Sequence, residues 1–322
     1  MTDLSAFRFS IRAIALAMAS LVAVALALRA AHNDYAFYLG YLVFQYVALA
    51  LGWNILGGYA GFVNFGASAF FAAGAYSTVA LHKATGASLP FCVAAGGAVG
   101  AALGLLMGAL TLRLRGVYFA ISTLSLSVVL ETLVVNWSYV GRSSGAYLIR
   151  PKAFAPFTTY TEYLCLTMFA IAAGAAVGSA AIERSSLGAG LAAIRDDETA
   201  AAALGVPTLR LKLVAATISG AILGMTGTPL PFYNSYLNPD SAFAIGYSVN
   251  AIAMALVGGA QSWLGPVLGA VLLGSLQQLT LAFVSSSASL GLTGLVFILF
   301  VALAPQGLIG LLRVRGRVAG ER

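Results

Sequence analysis

Charged residues are rare in this sequence, and four of them stand side by side. The run consists of Arg195, Asp196, Asp197 and Glu198, and four alanines follow at 200–203. Such residues suit ion pairing with a soluble protein, and the alanines would allow it to approach closely. Each charge would cost about 2.5–3.5 kcal/mol at the centre of a bilayer. We therefore expect this run to lie in water, either as a docking element or as a solvated linker.

A second candidate for chemistry is Glu131, the one acidic residue well inside an apolar stretch. A carboxylate at membrane depth commonly marks a path for ions, protons or substrate. Glu131 also lies within two turns of the predicted outer end of its helix, so it can instead reach water or a neighbouring serine or tyrosine. We name it as a candidate pathway residue and keep both interpretations.

Patterns typical of catalysis or metal binding are missing from the sequence. The two histidines, His32 and His82, are far apart, and no phosphate-binding loop of the Walker type occurs. Cys92 and Cys165 lie in apolar runs and are interpreted as small hydrophobic residues. Neither paired carboxylates nor a nucleophile constellation is present. We expect no enzymatic activity and no cofactor in this chain.

The composition is that of a polytopic membrane protein. Of 322 residues, 60% are apolar and only 8% are charged, whereas soluble domains have about 25% charged residues. The net charge of +7 comes mostly from basic residues at predicted membrane edges. We therefore expect membrane lipid, and no nucleic acid, as the surroundings of this chain.

Ten apolar runs are long enough to cross a bilayer, which takes about 17–25 residues. We place them at 12–29, 37–57, 64–82, 90–111, 117–136, 162–182, 211–231, 245–260, 265–284 and 289–309. Residues 7–31 also resemble a signal peptide, but a retained first helix fits the topology better. The sequence thus predicts an all-α transmembrane bundle of about ten spans.

The basic residues orient this bundle. With ten spans, both termini lie on the same side of the membrane. Twelve of the 17 basic residues fall on that side and five fall on the opposite side. Basic residues concentrate on the cytoplasmic side of membrane proteins, so we expect both termini to be cytoplasmic. Segment 187–212, between spans six and seven, is then cytoplasmic, and loop 137–161 is an outer cap.

Two features of the chain depend on helix-breaking residues. Gly205 and Pro207 end a predicted helix over 188–204, because glycine accepts the left-handed cap and proline cannot continue the helix. A glycine-rich break separates spans two and three; its residues are Gly57, Gly58, Gly61, Asn64 and Gly66. Broken backbone at membrane depth is tolerated where it lines a cavity or is buried in protein. This break is therefore either a pathway element or a plain cytoplasmic turn.

Five segments in this order resemble the permeases of high-affinity branched-chain amino acid ABC importers. They lie at 57–76, 112–121, 193–205, 239–241 and 258–270, and include the sequences GGYAG, LRLRGVYFAI and AIRDDE. Together they extend over most of 40–310, so we treat 1–322 as one permease domain. Among the two permease types of that system, the chain looks more like the longer one.

The resemblance implies half of a translocation pathway in the bacterial inner membrane. It implies a second permease, two cytoplasmic ATPases that bind the ATP, and a periplasmic binding protein that sets most of the specificity. The substrate would be a branched-chain amino acid or a related small carboxylate. The ATPase-coupling residues would be Arg195, Asp196, Asp197, Glu198, Ala201 and Gly205. The alternative is a self-sufficient, ion-coupled secondary transporter in which Glu131 and the glycine break coordinate the ion.

Overall fold

A computed structural model describes residues 34–114, 116–150, 157, 159–283, 291, 294, 295, 297 and 307–310. Twelve helices follow in chain order over residues 34–283: α1 Asp34–Gly57, α2 Ala67–Thr85, α3 Leu89–Thr111, α4 Val117–Asn136, α5 Tyr160–Arg184, α6 Ser186–Asp196, α7 Glu198–Ala203, α8 Thr208–Gly227, α9 Leu230–Asn234, α10 Pro239–Ala242, α11 Ile245–Gly258 and α12 Leu264–Phe283. Two short strands, β1 Ala146–Tyr147 and β2 Tyr236–Leu237, and two 3-10 helices, Ser138–Val140 and Arg142–Ser144, lie between these helices.

The eight spans predicted between residues 37 and 284 are helical in the structure. Six segments are long and apolar enough to cross a membrane: Asp34–Gly57, Leu89–Thr111, Val117–Asn136, Tyr160–Arg184, Thr208–Asn234 and Pro239–Gly258. The all-α interpretation is therefore confirmed. The predicted span at 12–29 lies outside the described residues, and the one at 289–309 lies largely outside them. The count of ten spans and the side of the termini thus stay predictions.

Helix α1 is the centre of the bundle. Most of its residues are buried, including the large side chains of Tyr41, Phe44 and Trp53. It packs against α5, α8, α11 and α12. A helix that is apolar all round suits a place inside a protein core or a membrane, since it has no face to present to water.

Helices α3 and α8 touch through their backbones. A Cβ atom at Gly100 would lie 2.1 Å from the Gly220 carbonyl oxygen, and one at Gly224 would lie 2.3 Å from that of Gly96. Small residues recur every fourth position on both helices and so form a continuous flat stripe. Such stripes allow close packing of helices in membranes, where little hydrophobic force drives association.

The predicted outer cap 137–161 is joined to the segment 232–237 that follows α8. Strand β1 pairs antiparallel with β2, with Ala146 opposite Leu237. Arg150 fastens the same region, because its Nε donates a hydrogen bond of 2.8 Å to the Phe232 carbonyl and its Nη2 donates to the Tyr233 carbonyl. The predicted outer cap is therefore an ordered structure at least as far as Arg150.

Candidate functional site

The charged segment between α5 and α8 contains two helices rather than one. The single helix predicted over 188–204 is wrong, since α6 ends at Asp196 and α7 begins at Glu198. Asp197 lies between them in extended backbone, and its Oδ1 accepts hydrogen bonds from the N–H groups of Thr199, at 2.8 Å, and Ala200, at 3.0 Å. An aspartate that satisfies the first N–H groups of a helix is an N-cap. Asp197 thus breaks the first helix and starts the second.

The end of α7 is a tip that carries a large exposed apolar side chain. Gly205 has a φ of +86° and donates its N–H to the Ala202 carbonyl at 3.0 Å, which confirms the predicted left-handed stop. Leu204 beside it is 86% exposed. Ala201, which the sequence analysis selected for partner contact, is buried within the chain itself. Leu204 was missed because a single leucine in a helical segment gives no sign of its exposure.

Arg195 connects this segment to the first glycine-rich break. Its Nη2 pairs with the Asp196 carboxylate at 3.3 Å, and its Nη1 donates to the Gly58 carbonyl at 3.4 Å. Gly61 has a φ of +77°, and a Cβ atom there would lie 2.9 Å from Cγ of Arg195. The structure therefore brings together Arg195 and the glycines at 58 and 61, which sequence reasoning had placed in two separate features.

Glu183, at the end of α5, joins the same break to a second glycine-rich corner, residues 258–266. Its Oε2 accepts hydrogen bonds from the Trp263 N–H at 2.7 Å and from the Tyr59 hydroxyl at 3.5 Å. Burial, and then the Glu183 carboxylate, raise the pKa of the Tyr59 phenol well above its usual value, so the hydroxyl keeps its proton and donates. The corners also touch directly, because a Cβ atom at Gly58 would lie 2.2 Å from the Ala260 carbonyl oxygen.

The remaining residues of the first break are fastened in a turn. The Asn64 side-chain oxygen accepts a 2.8 Å hydrogen bond from the N–H of Gly66, and the Asn64 carbonyl accepts one of 2.8 Å from the Trp53 indole. A Cβ atom at Gly57 would overlap the Trp53 ring, at 2.4 Å. The N–H of Phe65 donates to the Thr123 hydroxyl of α4 at 3.1 Å. These contacts fix the shape of the break, and at Gly57 they leave no room for a side chain.

Glu198, the first residue of α7, forms an ion pair with Lys212 of α8. Its Oε1 lies 2.6 Å from the Lys212 ammonium nitrogen, and the lysine side chain is only 3% exposed. Lys212 was not selected from the sequence, because a lysine near a predicted helix start is ordinarily a solvated membrane-edge residue. The predicted coupling residue Glu198 is therefore attached to the helix bundle rather than free in water.

Glu131 lies apart from all of these residues. It is partly buried on α4, 14 residues beyond Val117, the first residue of that helix, which corresponds to about 21 Å at 1.5 Å per residue. The carboxylate of Asp240 in α10 interacts with it electrostatically. The structure does not bring Glu131 into contact with the glycine break, and its pathway role stays a prediction.

The assembled site connects the charged segment α6–α7 with both glycine-rich parts of the chain. Among the residues that the structure describes, no three His, Cys, Asp or Glu side chains come together as a metal centre would require. Instead, the charged segment α6–α7 contacts the first glycine-rich break, and that break contacts the second. Helices α1, α5 and α11 end at these contacts.

The fold defines a multi-pass helical membrane protein in which a charged segment contacts the first glycine-rich break. Residues 35–301 match the family described as the branched-chain amino acid transport system permease component, and the chain belongs to that family. No solved structure matches it.

Two kinds of curated relatives are similar to the chain. The high-affinity branched-chain amino acid transport system permease protein LivM of Salmonella typhimurium is 29% identical over 307 residues, covering 86% of this chain and 72% of that protein. LivM of Escherichia coli K12 is also 29% identical, over 297 residues and 84% of this chain. The permease protein LivH of Escherichia coli K12 is 26% identical over 195 residues, or 60% of this chain. The chain thus matches LivM over more of its length than LivH.

Proposed function

We propose that this chain is a membrane-spanning permease subunit of an ATP-driven importer for branched-chain amino acids or related small carboxylates. It forms half of the translocation pathway and transmits the movement of cytoplasmic ATPases to it. The observation that carries this proposal is the seat of α6–α7 on the glycine-rich break through Arg195, together with the exposed Leu204 at the tip of α7.

The contacts of the segment support a coupling role over that of a linker. A solvated linker would make few contacts with the bundle, whereas Arg195 donates to the Gly58 carbonyl and Glu198 pairs with a buried lysine. At the same time Asp196 and Leu204 face outward. A segment with one face fixed to the moving helices and another free for a partner is suited to convert partner movement into a shift between pathway states.

The assembly and its setting follow from the same proposal. The subunit lies in the bacterial inner membrane with about ten spans and cytoplasmic termini. It pairs with a second permease and two cytoplasmic ATPases, and receives substrate from a periplasmic binding protein. ATP is bound and hydrolysed on the partner chains, so this subunit needs no cofactor of its own. Lipid surrounds it, and nucleic acid is not a partner.

The test is to co-express the two ATPases and the second permease with either the native chain or the Leu204→Glu variant, and to measure how much of each partner co-purifies with the chain. A new carboxylate in the docking contact should reduce ATPase recovery at least about tenfold, equivalent to about 1.4 kcal/mol. The matched control is Ile149→Glu, which introduces the same charge at an apolar residue that is 89% exposed in the middle of the predicted outer cap. This control should retain the ATPases.

The result also separates the two transport mechanisms. Loss of ATPases with Leu204→Glu alone supports coupling through α6–α7. If the second permease is recovered but native chain retains no ATPase, the proposal fails. Uptake that then continues without ATPases and collapses with the ion gradient would establish an ion-coupled secondary transporter instead.

A further inference from the structure

Lys212 is a buried cation near the start of a membrane helix, as the fifth residue of α8. Its side chain is 3% exposed, although lysine is almost never fully buried without a partner. An ammonium group taken out of water needs both a counter-charge and acceptors for its remaining hydrogens. The arrangement around Lys212 supplies these groups from three separate parts of the chain.

The first two partners are oxygen atoms on different elements. The Lys212 ammonium donates a 2.6 Å hydrogen bond to Oε1 of Glu198, the first residue of α7, and one of 2.8 Å to the carbonyl of Leu112. Leu112 is the C-cap of α3, where the last carbonyls of a helix lack intrahelical donors. One side chain thus joins the charged segment to the turn between α3 and α4.

The third partner is an aromatic ring in the glycine-rich break. The ammonium nitrogen lies 4.9 Å from the centroid of the Phe62 ring, within the distance of a cation–π contact. Phe62 in turn packs edge-on against Phe119 of α4, with centroids 5.2 Å apart. Through this pair the lysine also contacts the start of α4.

We propose that Lys212 is the positioning residue that transmits movement of the charged segment to the α3–α4 turn and the glycine-rich break. This inference rests on the proposed function, because it assumes that a partner moves α7. When α7 is displaced, the Glu198 carboxylate carries the lysine with it, and the lysine carries Leu112 and Phe62. Arg195 and Lys212 then attach the segment to the bundle at two separate points.

The experiment uses the complete importer reconstituted in liposomes and measures substrate uptake per ATP hydrolysed. Lys212→Met keeps an unbranched side chain that is one atom shorter and removes the charge. We expect the ATPases to remain bound and to hydrolyse ATP, while uptake per ATP falls at least tenfold. Lys212→Arg, which preserves the charge and the donors, should restore much of the ratio.

The matched control is Lys83→Met. Lys83 makes similar contacts, since its ammonium donates to the Tyr139 carbonyl at 3.0 Å and lies 5.4 Å from the Tyr139 ring centroid. It belongs to the last turn of α2, outside the charged segment. Its loss should leave uptake per ATP unchanged.

A second variant keeps the proposal testable if Lys212→Met fails to fold because Glu198 has lost the lysine ammonium. The double variant Lys212→Met/Glu198→Gln removes both charges together, and it should fold and show the same loss of coupling. A native ratio of uptake to ATP in either folded variant would overturn the proposal. Loss of the ATPases from folded Lys212→Met would also overturn it, because the lysine would then serve docking only. Failure of the native chain to bind ATPases would instead refute the proposed function.

Discussion

Replacing Gly61 by alanine tests the contact between the charged segment and the glycine-rich break. The backbone at Gly61 has a φ of +77°, and an L-residue in such a conformation costs about 1–2 kcal/mol. The new Cβ atom would also lie 2.9 Å from Cγ of Arg195. Since the arginine side chain can shift, this crowding should add about 1 kcal/mol, the lower end of overpacking costs. We therefore expect Gly61→Ala to lower the free energy of unfolding by about 2–3 kcal/mol in total.

Gly86→Ala is the matched control for the backbone cost. Gly86 has a φ of +65°, and no heavy atom lies within 4 Å of the position of its Cβ. Its replacement should therefore cost only about 1–2 kcal/mol. The free energy of unfolding, measured by detergent titration in mixed micelles, should separate the two variants by about 1 kcal/mol.

A double-mutant cycle assigns that difference to Arg195. If the crowding is real, Arg195→Ala should remove about 1 kcal/mol from the cost of Gly61→Ala and none from that of Gly86→Ala, because contacting residues are coupled and distant ones are not. Equal costs at the two glycines, or an additive cycle at Gly61 and Arg195, would refute the reasoning. Uptake should follow the same order, with Gly61→Ala impaired more than Gly86→Ala.

Two further predictions concern packing and the second corner. Gly100→Ala places a Cβ atom 2.1 Å from the Gly220 carbonyl and should destabilise the bundle by about 1–3 kcal/mol, whereas Gly174→Ala, with open space around it, should be neutral or slightly stabilising; equal unfolding midpoints would contradict this. Glu183→Ala leaves the Trp263 N–H without its acceptor and should cost about 1–3 kcal/mol. Glu183→Gln keeps an acceptor and should cost less, so identical losses in thermal unfolding would argue against this hydrogen bond.

The long apolar helices and the helix stop at Gly205 were predictable because their signals are local. Hydropathy over about 20 residues locates a membrane helix, and the eight predictions between 37 and 284 agree with the helices found. The end of α7 at Gly205 was likewise readable, because left-handed backbone favours glycine wherever it occurs. The break at Asp197 was missed. Its signal is also local, because an aspartate can accept hydrogen bonds from the backbone N–H groups two and three residues later and so start a new helix.

The joints of the site were not predictable because each depends on residues far apart in the chain. Lys212 bonds to a carbonyl 100 residues earlier, and Glu183 accepts from an N–H 80 residues later. Backbone carbonyls and N–H groups carry no sequence identity, so no motif records these partners. Nor does composition tell which alanine of α7 turns inward, and Ala201 was selected where Leu204 is the exposed residue.

The most direct test of the central claim is crosslinking from the tip of α7. The two native cysteines, Cys92 and Cys165, are both free and buried. A cysteine introduced by Leu204→Cys would therefore be far more accessible to a thiol reagent than either native thiol. A photoactivatable thiol reagent on this residue in the intact complex should join the chain to an ATPase subunit, while the same reagent at Ile149→Cys should not. Labelled Leu204→Cys that gives no ATPase adduct in an intact complex would contradict coupling through this segment.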